Sequence, residues 1–444
     1  MRTSTEAAGW GPSMEGLPDA VLADVFSRLP FDERRQVVPC VCKRWNALSC
    51  NEHSIWRTCF LSGRELSRCG SSKVDWRQVV NWFVRRSRAV EALHIFKVDF
   101  RTAQMPALLP MLMALLCHSL KFVKLTMCQF SCGALDGLLC LCWLRQLRVQ
   151  LTRSLPTWEP VGQLSCLQSL EVLDVGFSTW PKEKESRLET GSMLVNFPQR
   201  LTELRLTSWG CVSAVVPPDA FHCWGHLELI DLSGTEVQMV PESGAHLSSL
   251  GTLSINNEQI LPSFTMLTSL RTVAIENPTS VAMLATMTWL ESLCLHCMEA
   301  TDVELQGLSG LSALASLLLG CCELHSVPEP VVGLSTLTEL SLWGNSISTL
   351  PPGCYLSSLT SLDLTKNDFT AVPGVLAHST GLVRLDLSEN GLLQLGDDAV
   401  DLLLGLSCLE SLSLGGNSMA WSQESARSLV RLAQEKSNRL AILM

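Results

Sequence analysis

Leu337-Thr338-Glu339-Leu340-Ser341-Leu342-Trp343-Gly344-Asn345-Ser346-Ile347-Ser348-Thr349-Leu350 sets leucine or isoleucine at positions 1, 4, 6, 11 and 14 of a fourteen-residue stretch, with asparagine at 9. Its centre, Leu340-Ser341-Leu342, alternates with period two. The two leucines therefore share one face of a strand and Ser341 lies on the other. A single strand cannot bury such a face. Parallel copies stacked side by side can, because each covers its neighbour.

The spacing returns at Leu359, Leu362, Leu364, Asn367, Phe369 and Val372, then at Leu382, Leu385, Leu387, Asn390, Leu392 and Leu395, and again at Leu409, Leu412, Leu414, Asn417 and Met419. Weaker copies begin at Leu314, Leu290, Leu270, Leu250, Leu227, Leu201, Leu170, Leu144, Leu120 and Val90, about 14 in all, at spacings of 20 to 31 residues. On these residues the chain resembles the leucine-rich-repeat family. The resemblance implies an α/β solenoid over residues 90–420. That is a horseshoe with a parallel concave sheet and a convex side of mixed helix and extended chain. Val240-Pro241, Val327-Pro328, Leu350-Pro351 and Val372-Pro373 place a strand-stopping proline after the sixth apolar position.

Asparagine fills its position only in the last four copies; upstream stand Cys322, Met298, Pro278, Glu258, Thr235, Trp209, Ser178, Thr152 and Cys128. An amide can satisfy backbone groups of adjacent turns, whereas Met and Pro cannot. The stretch from Leu250 to Met298 is therefore expected to be the least regular. Lys182-Glu183-Lys184-Glu185-Ser186-Arg187 reads as a solvated loop or exposed helix. Beyond Met419 the period ends. Residues 421–444 read as a cap: a helix started by Ser422 and carrying Ala426, Leu429, Val430, Leu432 and Ala433, then a last strand at Arg439–Ile442.

The N-terminal part has a different texture. Residues 1–14 read as a flexible leader. Leu17-Pro18-Asp19 opens a helix whose Val21, Leu22, Val25, Phe26 and Leu29 fall on one face before Pro30. Asp32-Glu33-Arg34-Arg35 leads to a second short helix, and Val41, Cys42, Trp45 and Leu48 mark a third, followed by Ile55-Trp56. The order Leu-Pro, Val-Phe-Ser-Arg-Leu-Pro, Val-Cys-Lys-Arg-Trp, Ile-Trp resembles the F-box motif and sets a small three-helix module at 15–60. Arg34 stands where an apolar residue is more usual, and Pro39 lies close to the third helix. The resemblance implies a Skp-type adaptor as partner, with a cullin and a RING subunit reached through it. It assigns adaptor contact to Leu17, Pro18, Leu22, Val25, Phe26, Leu29, Pro30, Val41, Cys42 and Trp45, with Leu17, Pro18 and Leu22 foremost and Trp45 mostly internal. Residues 61–89 read as a linker and N-terminal cap helix around Asp75–Arg86, with Trp76, Val79, Val80 and Phe83 on one face.

The single residue between the paired leucines of each strand is the most central on the concave face. Copy by copy these are His94, Lys124, Arg148, Asp174, Arg205, Asp231, Ser254, Ala274, Cys294, Leu318, Ser341, Asp363, Asp386 and Ser413. With Lys97, Lys121 and Arg145 nearby, the early copies are basic; with Glu339, Glu389 and Glu410, the late ones are acidic. A protein target is expected along this gradient, its acidic or phosphorylated groups toward the early strands. The candidate target-binding residues are Lys121, Lys124, Arg145, Arg148, Arg205, Asp363 and Asp386.

Of 444 residues, 17% are charged and 47% hydrophobic, which favours a packed chain over disorder. A net charge of −10 argues against nucleic acid as the main partner. The 19 cysteines are scattered through apolar segments, as reduced buried thiols are. Met1 to Glu6 is not a secretory signal, and Asn277-Pro278-Thr279 is blocked as a glycosylation acceptor by its proline. Met105 to Leu120, interrupted by Pro106, Pro110 and His118, is too short to span a bilayer and reads as a buried helix on the outside of a repeat. A cytoplasmic or nuclear chain without membrane contact is expected. Cys294-Leu295-His296-Cys297 with Cys321 has the residue types of a zinc site but poor spacing on a strand, so no metal or other cofactor is expected. No phosphate-loop, dinucleotide or zincin motif is present, and no catalytic residue is assigned. The resemblance implies a non-catalytic substrate-recognition subunit of a cullin ubiquitin ligase. A repeat scaffold outside any ligase is the alternative, and a small-molecule sensor a third reading.

Overall fold

The structure, a computed structural model, describes residues 17–29, 33–63, 76–101, 107–130, 135–151, 164–177, 198–208, 212–215, 224–233, 235–238, 247–256, 265–278, 281–298, 304–393, 395–417, 423–435 and 440–443. The expected leader, Pro30 and the charged run at 182–187 lie outside the described residues. The chain forms two compact units: Met1–Ser186 with Asn196–Leu201, and Arg187–Val195 with Thr202–Met444.

The first unit opens with α1, Asp19–Arg28. Pro18 stands at its N-cap with φ near −58°, and Asp19 puts a carboxylate in the first turn, where unpaired amides favour it. Leu22, Ala23 and Phe26 form its buried face. A π turn at Glu33–Val37 runs into α2, Val38–Val41, whose first turn tolerates Pro39 because amides there lack intrahelical partners. α3, Lys43–Asn51, is started by the Cys42 sulfur, which accepts from the Trp45 amide at 3.4 Å. A 3-10 turn, His53–Trp56, ends the helical module.

β1, Thr58–Ser62, follows almost at once and pairs in parallel with β2, Ala92–Phe96, from Thr58↔Ala92 to Ser62↔Phe96. The strand straddles the boundary expected after residue 60. The helical module therefore runs into the sheet, with no linker between its last turn and β1. β3 (Phe122–Cys128), β4 (Gln146–Leu151) and β5 (Val172–Phe177) extend the sheet in chain order. On one face Cys59, Leu61, Leu93, Ile95, Val123, Leu125, Leu147, Val149, Leu173 and Val175 are all buried. Each such side chain contributes about 1.5–3 kcal/mol. Also in this unit are α4, Trp76–Arg86, and α5, Leu108–Leu116, whose Leu108, Leu109, Leu112, Met113 and Leu116 are buried. Among the described residues no helix is long and apolar enough to cross a membrane.

In the second unit β6 (Glu203–Ser208) is followed by β7 (Val212–Val215), β8 (Leu229–Leu232) and β9 (Thr235–Gln238). β7 and β9 pair with each other in a small separate sheet. β6 and β8 pair in the main sheet, which continues through β10 (Thr252–Asn256), β11 (Thr272–Glu276), β12 (Ser292–His296), β13 (Ser316–Gly320), β14 (Glu339–Ser341), β15 (Ser361–Asp363), β16 (Arg384–Asp386), β17 (Ser411–Ser413) and β18 (Ala441–Leu443). Among the described residues its neighbouring strands pair in parallel. Among the described residues the chain returns behind the strands by 3-10 turns, as at Ala282–Thr286 and Cys354–Ser357, by a short helix at Glu329–Val332, and by a longer one, α6, Asp397–Gly405. α7, Gln423–Glu435, follows the last repeat, and β18 pairs in parallel with β17.

Among the described residues the expected irregularity between Leu250 and Met298 is not found; residues 257–264 and 279–280 lie outside them. β10, β11 and β12 each hold five residues in unbroken register, longer than the three-residue strands that carry asparagine. The leucine face holds the strands, and Pro278 and Met298 simply fill buried space in their turns. Where asparagine is present it works as an amide ladder. The Asn345 Oδ1 accepts from the Cys322 and Leu324 amides at 2.9 and 3.1 Å, and its Nδ2 donates to the Leu319 and Leu342 carbonyls at 2.8 Å. Cys322 and Cys128 reproduce the donor half, each thiol donating to two carbonyls at 3.4–3.6 Å. Among the described residues, the one just before this position adopts positive φ in nine copies, including Lys97, Cys297, Lys366 and Glu389, and two of these nine are glycine, Gly344 and Gly416.

Candidate partner-binding surfaces

The helical module is built around aromatics. Leu22, Phe26 and Ile55 have no exposed surface, and Phe26 packs on Trp45 with ring centroids 4.6 Å apart. The Trp56 indole donates to the Ser49 carbonyl at 2.7 Å. Arg34 is also interior: its Nη1 donates to the Ile55 carbonyl at 2.5 Å and its Nη2 to the Thr58 carbonyl at 2.8 Å. The guanidinium lies 5.7 Å from the Trp56 ring. Burial lowers its pKa and pushes the neighbouring Cys59 thiol up to about 12. α4 joins the same cluster, with Arg86 over Trp56 and Trp82 at 5.1 and 4.8 Å. Arg44 ties α3 to the Leu17 segment through the Leu17 carbonyl at 2.6 Å and Asp19 Oδ1 at 2.6 Å. Among the outward residues of the module are three valines: Val21 is 43% exposed, Val37 54% and Val41 52%.

On the open sheet face of the first unit, Phe60, His94, Lys124, Arg148 and Asp174 stand side by side in register. Phe60 stacks on His94 at 4.5 Å, and His94 meets Phe122 at 4.9 Å. Burial, then the charge of Lys124, lowers the His94 pKa. Lys121 and Arg145 are paired with Glu91 at 3.2 Å and Glu171 at 3.7 Å. Lys124 and Arg148 have no carboxylate within 4 Å among the described residues. A cleft of about 730 Å³ runs from the end of α1 (Ser27, Arg28, Leu29) across Phe60, His94 and Phe96 to Lys124 and Thr126.

In the second unit the matching row runs Arg205, Asp231, Ser254, Ala274, Cys294, Leu318, Ser341, Asp363, Asp386, Ser413. Arg205 is half-buried beside Glu203, at 3.7 Å. The acidic residues are largely committed to local structure. Asp363 Oδ1 accepts from the Thr365 amide and hydroxyl at 3.0 and 2.6 Å, and its Oδ2 from Ser341 Oγ at 2.8 Å. Asp386 Oδ1 accepts from the Ser388 amide at 2.9 Å, and Glu389 pairs with Lys366 at 3.5 Å. Aspartate followed by serine or threonine two residues later makes a turn bond, so Asp363 and Asp386 end their strands as well as line the face. Burial pushes the Cys294 thiol up to about 11. No group of three or more His, Cys, Asp or Glu among the described residues could hold a metal ion.

The F-box-like family model matches residues 14–62, and a leucine-rich-repeat model matches residues 335–392. The chain thus carries an F-box-like segment at its N-terminal end and leucine-rich repeats beyond it. Volume-regulated anion channel subunit LRRC8D of Rattus norvegicus is 34% identical over 106 residues, 23% of this chain and only 12% of that protein's length. Similar solved structures include an internalin of Listeria monocytogenes (18% identity, 83% of this chain and 92% of that one, TM-score 0.45) and a leucine-rich-repeat protein of Leptospira interrogans (18%, 90% and 98%, 0.47). F-box and leucine-rich-repeat families are typically non-catalytic adaptor and recognition proteins, and an F-box domain points in general to a Skp-type adaptor.

Within the F-box, the sequence-assigned contact residues divide. Pro18, Val41 and Cys42 are exposed, and Leu17, Val25, Leu29 and Trp45 are half-buried. Leu22 and Phe26 are instead wholly interior, because the α1 face that carries them packs on α3 and the 3-10 turn. They support the surface and cannot touch a partner unless the module opens. Val21 and Val37, given no contact role from the sequence, are also exposed; Val21 shares the sequence-read face with Leu22, and only the packing of α1 separates the two.

Proposed function

We propose that this chain is the substrate-recognition subunit of an F-box-type ubiquitin ligase. The outward residues Leu17, Pro18, Val21, Val25, Leu29, Val37, Val41 and Cys42 dock a Skp-type adaptor, which brings a cullin and a RING subunit. The open sheet face holds a protein target, in the cytoplasm or nucleus. The observation that carries this reading is the direct passage of the F-box into β1 of the repeat sheet, reinforced by the Trp56–Arg86–Trp82 cluster. A ligase that acts by proximity needs its adaptor site and its target site on one body, because reach and orientation are all it supplies to the transfer. The repeat scaffold outside any ligase has no use for such a joint.

The test is co-purification of the full chain with adaptor and cullin. Val21→Asp with Val41→Asp should abolish recovery of both without lowering the melting temperature, since neither valine is in the core. Capture of the adaptor without cullin, or unchanged capture by the double variant, would remove the ligase reading.

A further inference from the structure

Three exposed or half-exposed rings on the first strands are left unexplained by the repeat fold. Outward positions on repeat strands are usually polar, yet Phe60 is 46% and Phe96 39% exposed, and His94 is held between Phe60 and Phe122. Single exposed apolar residues need no explanation; rings clustered along one cleft mark a binding site. The cleft has a polarity. Its α1 end presents the carboxyl terminus of a helix, where Arg28 is already paired with Asp24 at 2.9 Å. Its other end presents Lys124, with Arg148 on the next strand, and neither is neutralised by a described carboxylate. Glu91, the acid nearest in sequence to β2, is already shared by Arg57 and Lys121.

We propose that this cleft takes a peptide segment of the target in which an aromatic side chain lies next to an acidic or phosphorylated one. The ring packs on Phe60 and Phe96, and the anion meets Lys124 and Arg148. The proposal rests on the reading of the sheet face as the target surface and specifies its chemistry. A ring desolvated against aromatics and an anion bound by two cations give selectivity that neither gives alone. The site takes up to a few side chains, because its volume of about 730 Å³ is that of an ordinary ligand pocket.

The test uses the full chain and fluorescent nine-residue peptides, read by anisotropy. One set carries Phe beside Glu, one Phe beside phosphoserine, one phosphotyrosine alone. Controls replace the ring by alanine or the acid by lysine. Probes with both features should bind about tenfold or more tighter than either control. Lys124→Glu should erase the dependence on the acid, and Phe60→Ser the dependence on the ring; Phe60→Leu keeps the apolar volume and removes only the stacking, should the serine variant be unstable. A phosphate advantage assigns a modified target and equal affinity an unmodified acidic one; both carry the shared chemistry. Equal binding of probes and controls overturns the proposal. If adaptor and cullin still assemble while the peptides fail to discriminate, only the cleft is misread. If the peptides discriminate and cullin does not assemble, only the ligase reading falls.

Discussion

Arg34 shows how one residue can look wrong in sequence and be right in structure. The F-box pattern favours an apolar side chain there, and the guanidinium is interior, yet it donates to the Ile55 and Thr58 carbonyls at the junction where the last helical turn becomes β1. Removing it leaves a void and two buried acceptors without these donors. Arg34→Ala should therefore cost about 3–5 kcal/mol in urea unfolding, and Arg34→Met distinctly less, because it restores the volume without a charge. His94 supplies a pH signature. Its folded pKa lies below the ordinary 6.5 through burial and then Lys124. The unfolded chain therefore binds the proton more readily, and stability falls as pH drops from about 6.5 toward the lower folded value. His94→Phe should flatten that part of the stability–pH curve while leaving the curve above pH 7 unchanged; an identical slope in both proteins would refute the assignment. Little of this was legible beforehand. Val21 and Leu22 are adjacent, and only the helices packed against α1 decide which is inside. The pairing of Lys121 with Glu91 joins residues one repeat apart, so charge counted along the sequence overstated the free basic surface.

At the scale of the element, the repeat rests on two devices of different legibility. The leucine face is written in a period-two pattern that any copy displays, which is why strand positions and register could be read almost throughout. The amide ladder is weaker in sequence and more local in effect. Asn367 joins two successive copies: its Oδ1 accepts from the Ile347 amide at 3.0 Å, and its Nδ2 donates to the Leu342 and Leu364 carbonyls at 2.9 and 3.1 Å. Asn367→Ala should cost about 2–4 kcal/mol, the sum expected for buried backbone groups left unpaired. Asn367→Cys should cost less, since the thiols of Cys128 and Cys322 keep the donor bonds at equivalent positions. Equal losses for the two variants would mean that packing, not hydrogen bonding, sets the tolerance. The same reasoning explains the mistaken expectation for Leu250–Met298. Loss of the amide was read as loss of order, but the strand is held by its leucines and the turn needs only a filled volume. β1 was hidden for another reason: Cys59 and Leu61 alternate as a strand should, but they sit at the end of a helical motif that claims the same residues.

At the scale of the whole molecule, stacked repeats hold one another through neighbours, so damage should spread by distance along the stack rather than all at once. The end of the second unit offers the cleanest place to see this. β18 closes the sheet through the Leu414 amide on the Leu443 carbonyl at 2.8 Å and the Ala441 amide on the Glu410 carbonyl at 2.8 Å. α7 adds the buried Leu432 and an ion pair from Arg431 to Asp401 on α6 at 2.8 Å. Deleting residues 423–444 would leave β17 as a bare edge and turn Leu412 and Leu414 toward water, a hazard for both stability and association. Hydrogen exchange should then accelerate first at β17, next at β16, and leave β10 to β12 close to their protection in the intact chain, because each interface depends on the one beyond it. A uniform acceleration from β6 to β17 would show instead that the second unit unfolds as a single cooperative body. In that case a target bound on its open face would stabilise every strand, including those it does not touch.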